Sequence, residues 1–375
     1  MSNVYIIQSN STSVPLKRIR CQDEERELQS LLENNYGLLV GDQINPEDPR
    51  RWLLLKREMP VPSPSTGSDR WSIDFFFVDQ DAVPTFIECK RYYDTRSRRE
   101  IVGQMLEYAA NGQHYWTVDS LRDITEESAR KNNQEVEDLL YELTGDETII
   151  AEDFFQNIMD NLREGQIRLI FFLEESPYEL RSIVDYLNRQ MERSEVLLIE
   201  AKQFTDGKVK LVVPQLFGYT EQARMIKKTV TLQKSQSGKR RKWDEETYFI
   251  DARDNHSLNN DEISAIKKLY DYSSRKADNI GWGTGSNRGS FSPKYFHISV
   301  KSLFTVFTNG ELRFNFHWLV DENAKKYADS LKKKIDSIPN ITLNPNTEFP
   351  AFQINEWKDQ VEDIINIIEG VVNEQ

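Results

Sequence analysis

WSIDFFFVDQDAVPTFIECK, Trp71 to Lys90, sets two apolar runs on either side of a short polar turn. Two apolar runs, Trp71–Val78 and Thr85–Cys89, flank the turn-rich DQDAVP, which is the signature of a β-hairpin. Side chains two apart on a strand share a face, so Glu88 and Lys90 point one way and Ile87 and Cys89 the other. Asp74 stands between Ile73 and three phenylalanines. An ionised carboxylate there is costly unless it is solvated or bound to a cation. The hairpin brings Asp74 beside Glu88, and two adjacent carboxylates repel unless a divalent metal lies between them. Lys90, on the same face, then stands next to the metal and to any anion it binds. Oxygen ligands, a metal that orders water, and a lysine that offsets charge on phosphorus suit phosphodiester hydrolysis.

The chain continues RYYDTRSRREIVGQMLEYA, Arg91 to Ala109. A helix is predicted over Glu100–Asn111, with Ile101, Val102, Met105 and Ala109 on its apolar side. Gln104 and Tyr108, four apart, stack on one flank of that stripe. A buried amide needs partners, and the acidic site could supply them to Gln104. Arg91, Arg96, Arg98 and Arg99 lie between strand and helix, where at least two are expected to contact phosphate.

Working outward, Asp23–Asn35 reads as a helix with Leu28, Leu31 and Leu32 on one face. Trp52–Lys56, Ile167–Leu173, Val196–Ile199 and Val209–Val213 read as strands, Tyr178–Met191 as an amphipathic helix, and 119–165 as an inserted helical segment. This predicts an α/β domain over 1–218 with a mixed central sheet flanked by helices. A linker with a basic cluster (KSQSGKRRK, Lys234–Lys242) covers 219–245. A smaller α+β accessory or recognition domain occupies 246–375, with helices at Asn260–Tyr272, Asn323–Ser337 and Asn355–Val372. Its strands are expected near Tyr295–Val300, Leu303–Phe307 and Leu312–Trp318. Its turn GWGTGSNRGS does not complete a G-x-G-x-x-G motif. Trp282, Arg288, Phe291 and Lys294, in or beside that turn, are candidates for stacking on bases and holding phosphates, with core packing around a turn as the commoner alternative.

Composition sets the limits. The chain has 375 residues, 38% of them hydrophobic and 11% aromatic, which is enough for two or three packed domains and excludes a disordered protein. No apolar run reaches membrane-spanning length and no secretory leader opens the chain, so a cytoplasmic protein is expected. Cys21 and Cys89 form neither a zinc spacing nor a disulfide framework. His114, His256, His297 and His317 are scattered. A net charge of −13 argues against a surface coated all over in nucleic acid but leaves room for a local basic groove.

With Asp74, Glu88 and Lys90 in place, the sequence resembles the PD-(D/E)XK nuclease superfamily from Asp23 to about Gly218. The resemblance implies a restriction-endonuclease-like core with Asp74 and Glu88 as metal ligands, joined by the backbone carbonyl of Cys89, and Lys90 as the catalytic lysine. Ile73 stands where the motif's proline would be. EERELQSLL resembles the first helix of archaeal Holliday-junction resolvases. That similarity assigns a metal-site glutamate to Glu25, with Glu27 a close competitor because both lie at the edges of the leucine face. Gln104 and Tyr108 are similar to the Q-x-x-x-Y pair of the RecB-like branch, which implies that Gln104 reaches the active site or the nucleic acid; Tyr108 is a nucleic-acid-binding candidate, with core packing as the alternative. The implied function is a Mg²⁺-dependent endonuclease, with Mn²⁺ as a substitute, acting on DNA in defence, restriction or repair. The implied partner is nucleic acid, DNA ahead of RNA, with no membrane and with a homodimer admitted. An RNA endonuclease and a non-catalytic binding module on the same fold are the alternatives.

Overall fold

The computed structural model describes residues 4–7, 11–62, 69–91, 98–131, 133–218, 243–284, 288–339, 341–344, 347 and 349–374. The chain forms two units, one of Met1–Thr144 with Ile150–Gln236 and one of Gly145–Ile149 with Ser237–Gln375. It is mixed α/β, with a mixed sheet in the first unit and an antiparallel sheet in the second.

The first unit is built on β1 (Val4–Ile7), β2 (Ser13–Ile19), β3 (Trp52–Pro62), β4 (Asp69–Asp79), β5 (Pro84–Lys90), β6 (Arg168–Leu173), β7 (Glu195–Thr205) and β8 (Lys210–Phe217). Their order is β1-β2-β7-β6-β5-β4-β3, with β8 paired to β7 off this path. β3, β4 and β5 run as an antiparallel meander. β5, β6 and β7 are parallel, joined by helical crossovers. The long apolar runs follow from this, because β5 and β6 are covered on both faces.

One face carries Phe75, Phe77, Ile87, Cys89, Ile170, Phe172, Leu197 and Ile199 in a single core with Leu28, Leu32, Leu39 and Ile44. Each fully buried aliphatic or aromatic side chain there contributes roughly 2–3 kcal/mol. On the other face Phe76 stacks on Trp116 at 4.9 Å, and helices Arg98–Tyr115, Val118–Lys131 and Ala151–Arg163 pack over β3 and β5. The first helix opens with a wide π turn, Glu25–Gln29, before Ser30–Glu33. β3 and β4 are longer than the sequence suggests, because their polar ends pair with each other.

The second unit holds β9 (Asn279–Trp282), β10 (Ser290–Lys294), β11 (Phe304–Phe307), β12 (Leu312–Phe314) and β13 (Ala351–Phe352) in the order β13-β12-β11-β10-β9. Helices Glu245–Asp254, Asn260–Lys276, Glu322–Ile335 and Val361–Val372 enclose its core. The strand expected near Tyr295–Val300 is a turn, closed by Ile298 and Ser299 N–H groups on the Tyr295 carbonyl. Tyr295 and Ile298, both buried, stand three apart as a turn requires, and the strand is Ser290–Lys294. The segment Gly145–Ile149, inside the expected helical insertion, belongs to this unit. Glu147 Oε2 accepts from Ser302 N at 2.9 Å, and its carboxylate pairs with Lys294. Asp146 Oδ2 accepts from Thr284 N, and Arg313 donates to the Glu147 carbonyl.

Candidate active site

The site begins where the β4–β5 ladder stops. The last ladder pair is Phe75 with Ile87, and the same register sets Asp74 opposite Glu88. In place of a further ladder bond, Asp74 Oδ2 takes the Cys89 N–H at 2.7 Å. Cys89 thus joins the site through its N–H, while its thiol lies in the core of the opposite face. Lys90 Nζ lies 3.0 Å from Glu88 Oε1 and 3.1 Å from Glu24 Oε1. Glu24 also accepts the Arg91 N–H at 3.1 Å, which ties the end of β5 to the start of the first helix.

Glu24 is therefore the first-helix carboxylate at the cluster, which corrects the assignment to Glu25 or Glu27. Glu25 is 76% exposed and faces Arg57, and Glu27 Oε2 accepts the Gln22 N–H. Glu24 stands four residues before Leu28 and eight before Leu32, the two leucines the helix buries completely. That spacing was the available signal.

Glu58 is a residue sequence reasoning missed. β3 pairs Arg57 with Phe75 and Met59 with Ile73, so Glu58 falls opposite Asp74. Its φ is +51°, and Ser72 Oγ donates to its Oε2 at 2.8 Å. Glu58, Asp74 and Glu88 thus form a row across three strands. A positive φ at a residue without glycine's freedom leaves no trace in composition or periodicity.

Burial pushes Asp74 up to about 6, with Glu58 and Glu24 adding to it and Lys90 and the Cys89 N–H opposing. Burial, then Asp74, pushes Glu88 up to about 7 against Lys90. For Lys90 burial works to lower the value, but Glu88, Asp74 and Glu24 outweigh it and the ammonium is held. Glu88 is 3% exposed, and its Oε2 makes no hydrogen bond. The cluster is short of positive charge.

Gln104 Nε2 donates to Tyr108 Oη at 2.9 Å, and Tyr108 Oη donates to the Ser72 carbonyl at 2.7 Å. Tyr108 is fully buried, so it is a wall of the site and does not meet nucleic acid. Burial, then Glu88, raises its phenol. Arg91 donates to the Gln22 carbonyl. Arg96 lies outside the described residues, as do the side chains of Arg98 and Arg99 and the basic cluster Lys234–Lys242. Both cysteines are buried free thiols pushed up by burial.

The aromatic and basic candidates of the second unit meet partners within that unit. Phe291 is fully buried, and Trp282 packs against the same core. Arg288 pairs with Glu311 and Lys294 with Glu147.

Among the described residues, no group of three or more His, Cys, Asp or Glu side chains is disposed to hold a metal ion. Glu24 meets Lys90 with Oε1 and the Arg91 N–H with Oε2, and the exposed Glu58 accepts from Ser72, whereas Asp74 and Glu88 are each buried and engaged through one oxygen. Two carboxylates, one with an unpartnered buried oxygen, fit a hard cation that keeps much of its water, as Mg²⁺ does. No described helix is long and apolar enough to cross a membrane. Comparison with protein-family models, curated proteins and solved structures finds no match.

Proposed function

We propose that the first unit is a metal-dependent nuclease of the PD-(D/E)XK kind that hydrolyses phosphodiester bonds, with DNA as the preferred substrate. The observation that carries this reading is the unpartnered, buried Oε2 of Glu88, beside Asp74 and on the same face as Lys90. A divalent cation held by Asp74 and Glu88 would supply charge to activate water and to neutralise the phosphate. Lys90, raised and therefore protonated, donates to the phosphate oxygens or the attacking water and takes no proton itself. Glu24 holds its ammonium from the far side. Gln104 and Tyr108 brace the Ser72 carbonyl and so the strand that carries Asp74.

The test is incubation of the full chain with circular, linear and single-stranded DNA and with RNA, in Mg²⁺, Mn²⁺ or EDTA. Cutting of DNA in either metal, abolished by EDTA and by Lys90→Ala, is the expected result. Nucleic-acid binding with no cutting in any metal favours the alternative, a binding module on the same fold. On that side stands the finding that, among the described residues, no group of three or more His, Cys, Asp or Glu side chains is disposed to hold a metal ion.

A further inference from the structure

The face that carries Lys90 does not end at β5. In register, Lys90 pairs with Leu173 on β6, and Leu173 with Glu200 on β7. Cys89, Phe172 and Ile199, the row beside it, all enter the opposite core, so Lys90, Leu173 and Glu200 share the face of the acidic cluster. With strands about 4.8 Å apart, Glu200 emerges roughly 10 Å from Lys90.

Glu200 is fully buried, yet its value is lowered. Burial opposes this, and the Lys202 ammonium together with hydrogen bonds from Ser176 and Arg181 outweighs it. Lys202 Nζ lies 2.8 Å from Oε2, while Arg181 and Ser176 crowd Oε1. Two cations therefore share one carboxylate and leave one positive charge in excess. Their side chains stay 35% (Arg181) and 30% (Lys202) exposed. The Arg181 guanidinium is seated 4.0 Å over the Phe217 ring, which fixes its plane. By contrast Arg18 and Arg20 meet two carboxylates, Glu174 and Glu175, and cancel. On β8, Val213 and Gln215 lie opposite Lys202 and Glu200 and are exposed, so this end of the face is open to a ligand.

We propose that Arg181 and Lys202 form a second phosphate subsite, one that grips a nucleic-acid strand a few nucleotides from the phosphate at Lys90. This rests on the nucleic-acid reading of the site. Glu200 preorganises the two cations, and the excess charge binds the backbone without regard to sequence.

The experiment measures the anisotropy of an end-labelled single-stranded 20-nucleotide DNA with the full chain, in Ca²⁺ and in EDTA, across a salt titration. Inorganic phosphate and a dinucleotide serve as competitors. Removing both cations strands the Glu200 charge, so Arg181→Gln with Lys202→Gln is measured beside the triple variant that adds Glu200→Gln. Arg189→Gln, on the same helix, is the charge control. Both multiple variants are expected to weaken binding about tenfold and to reduce the salt slope by about one to two. Glu200→Gln alone is expected to tighten binding, because it leaves both cations unshared; a purely structural ion pair would not do this. The dinucleotide and phosphate should compete poorly, which assigns the subsite to a strand and not to a free anion. Unchanged affinity and slope in the triple variant would overturn the subsite while leaving the nuclease reading intact. Wild-type protein that binds no nucleic acid would overturn both. Wild-type protein that binds through these residues but never cuts would keep the subsite and remove only hydrolysis.

Discussion

Glu88 and Glu200 lie on one face of one sheet, one 3% exposed and the other fully buried, and they ionise in opposite directions. Glu200 receives a backbone N–H, a hydroxyl, a guanidinium and an ammonium. Glu88 receives one ammonium, which it shares with Glu24, and it faces Asp74. The difference is therefore not burial but the count of donors. A carboxylate with three donors on one oxygen and an ammonium beside the other stays charged in a low dielectric, whereas one that meets a single ammonium beside another acid does not. The first is well supplied with donors, and the second is short of them.

The largest expected effect is catalytic. Lys90→Ala should lower the rate of DNA cleavage in Mg²⁺ by at least about 100-fold, the cost of removing one donor from developing charge. It should leave the affinity for uncut DNA in Ca²⁺ nearly unchanged. Cleavage at the wild-type rate would make Lys90 a structural partner of Glu24, and the contrast with Glu200 would lose its functional meaning.

The contrast itself is tested by exchanging acid for amide at the two positions in metal-free protein. Glu88 has a folded value above its unfolded one, so the native state binds more protons between about pH 4 and 7, and stability falls as pH rises through that window. Glu88→Gln should remove the fall and raise stability at pH 8 by roughly 2–3 kcal/mol, read by urea denaturation in EDTA. Asp74→Asn should act in the same direction, though the two effects will not add because the carboxylates share one repulsion. Glu200 is lowered, so its contribution is present at neutral pH and is lost as pH falls through its folded value. Glu200→Gln should destabilise by about 1–2 kcal/mol. Equal signs for Glu88→Gln and Glu200→Gln would refute the donor-count argument. Mg²⁺ should raise the melting temperature of the wild type and not that of Glu88→Gln.

The sequence carried the hairpin, because apolar runs and a turn fix a register and alternation then fixes faces. It carried Asp74, Glu88 and Lys90 on one face for the same reason. It did not carry Glu24, although the spacing to Leu28 and Leu32 was present. The family likeness drew attention to the neighbouring glutamates, and a helix that opens on a π turn displaces the faces counted from its start. Nor did it carry the roles of Trp282, Phe291 and Lys294. A Gly-rich turn with aromatic and basic residues reads the same whether those side chains meet a ligand or the core, and only partners such as Glu147, far away in sequence, decide. The residues Gly145–Ile149 look like one more helical linker, since the bonds that place them with the second unit are all long-range.

Glu147 extends the comparison to that unit. It is buried like Glu88 but supplied with donors like Glu200, by the Ser302 N–H and hydroxyl and by Lys294. Glu147→Ala should destabilise the second unit by about 2 kcal/mol, because it leaves those donors unsatisfied. Hydrogen exchange should show the loss in β10, β11 and β12 and not in β5 or β6. A loss spread equally over both units would mean that they unfold together. A fragment starting at residue 237 lacks Gly145–Ile149 altogether and should be at least as weak as this variant.

The smallest effect should come from Glu58, at the edge of the acidic row. Its φ of +51° costs an ordinary residue about 1 kcal/mol or more, a cost that glycine avoids. Glycine also gains unfolded-state entropy, which returns part of that benefit. Glu58→Gly additionally removes one of the charges that push Asp74 upward and frees the Ser72 hydroxyl on an exposed edge. In EDTA the net expectation is stabilisation by about 0.5–1 kcal/mol, accompanied by a fall in the pH at which Asp74 titrates. Glu58→Gln separates the two contributions, since it keeps the strained backbone and deletes the charge. If Glu58→Gln lowers the Asp74 titration as much as Glu58→Gly does but leaves stability unchanged, the strain and the charge act independently. If neither variant moves Asp74, Glu58 does not belong to the row, and the electrostatic deficit of the site rests on Glu24, Asp74 and Glu88 alone.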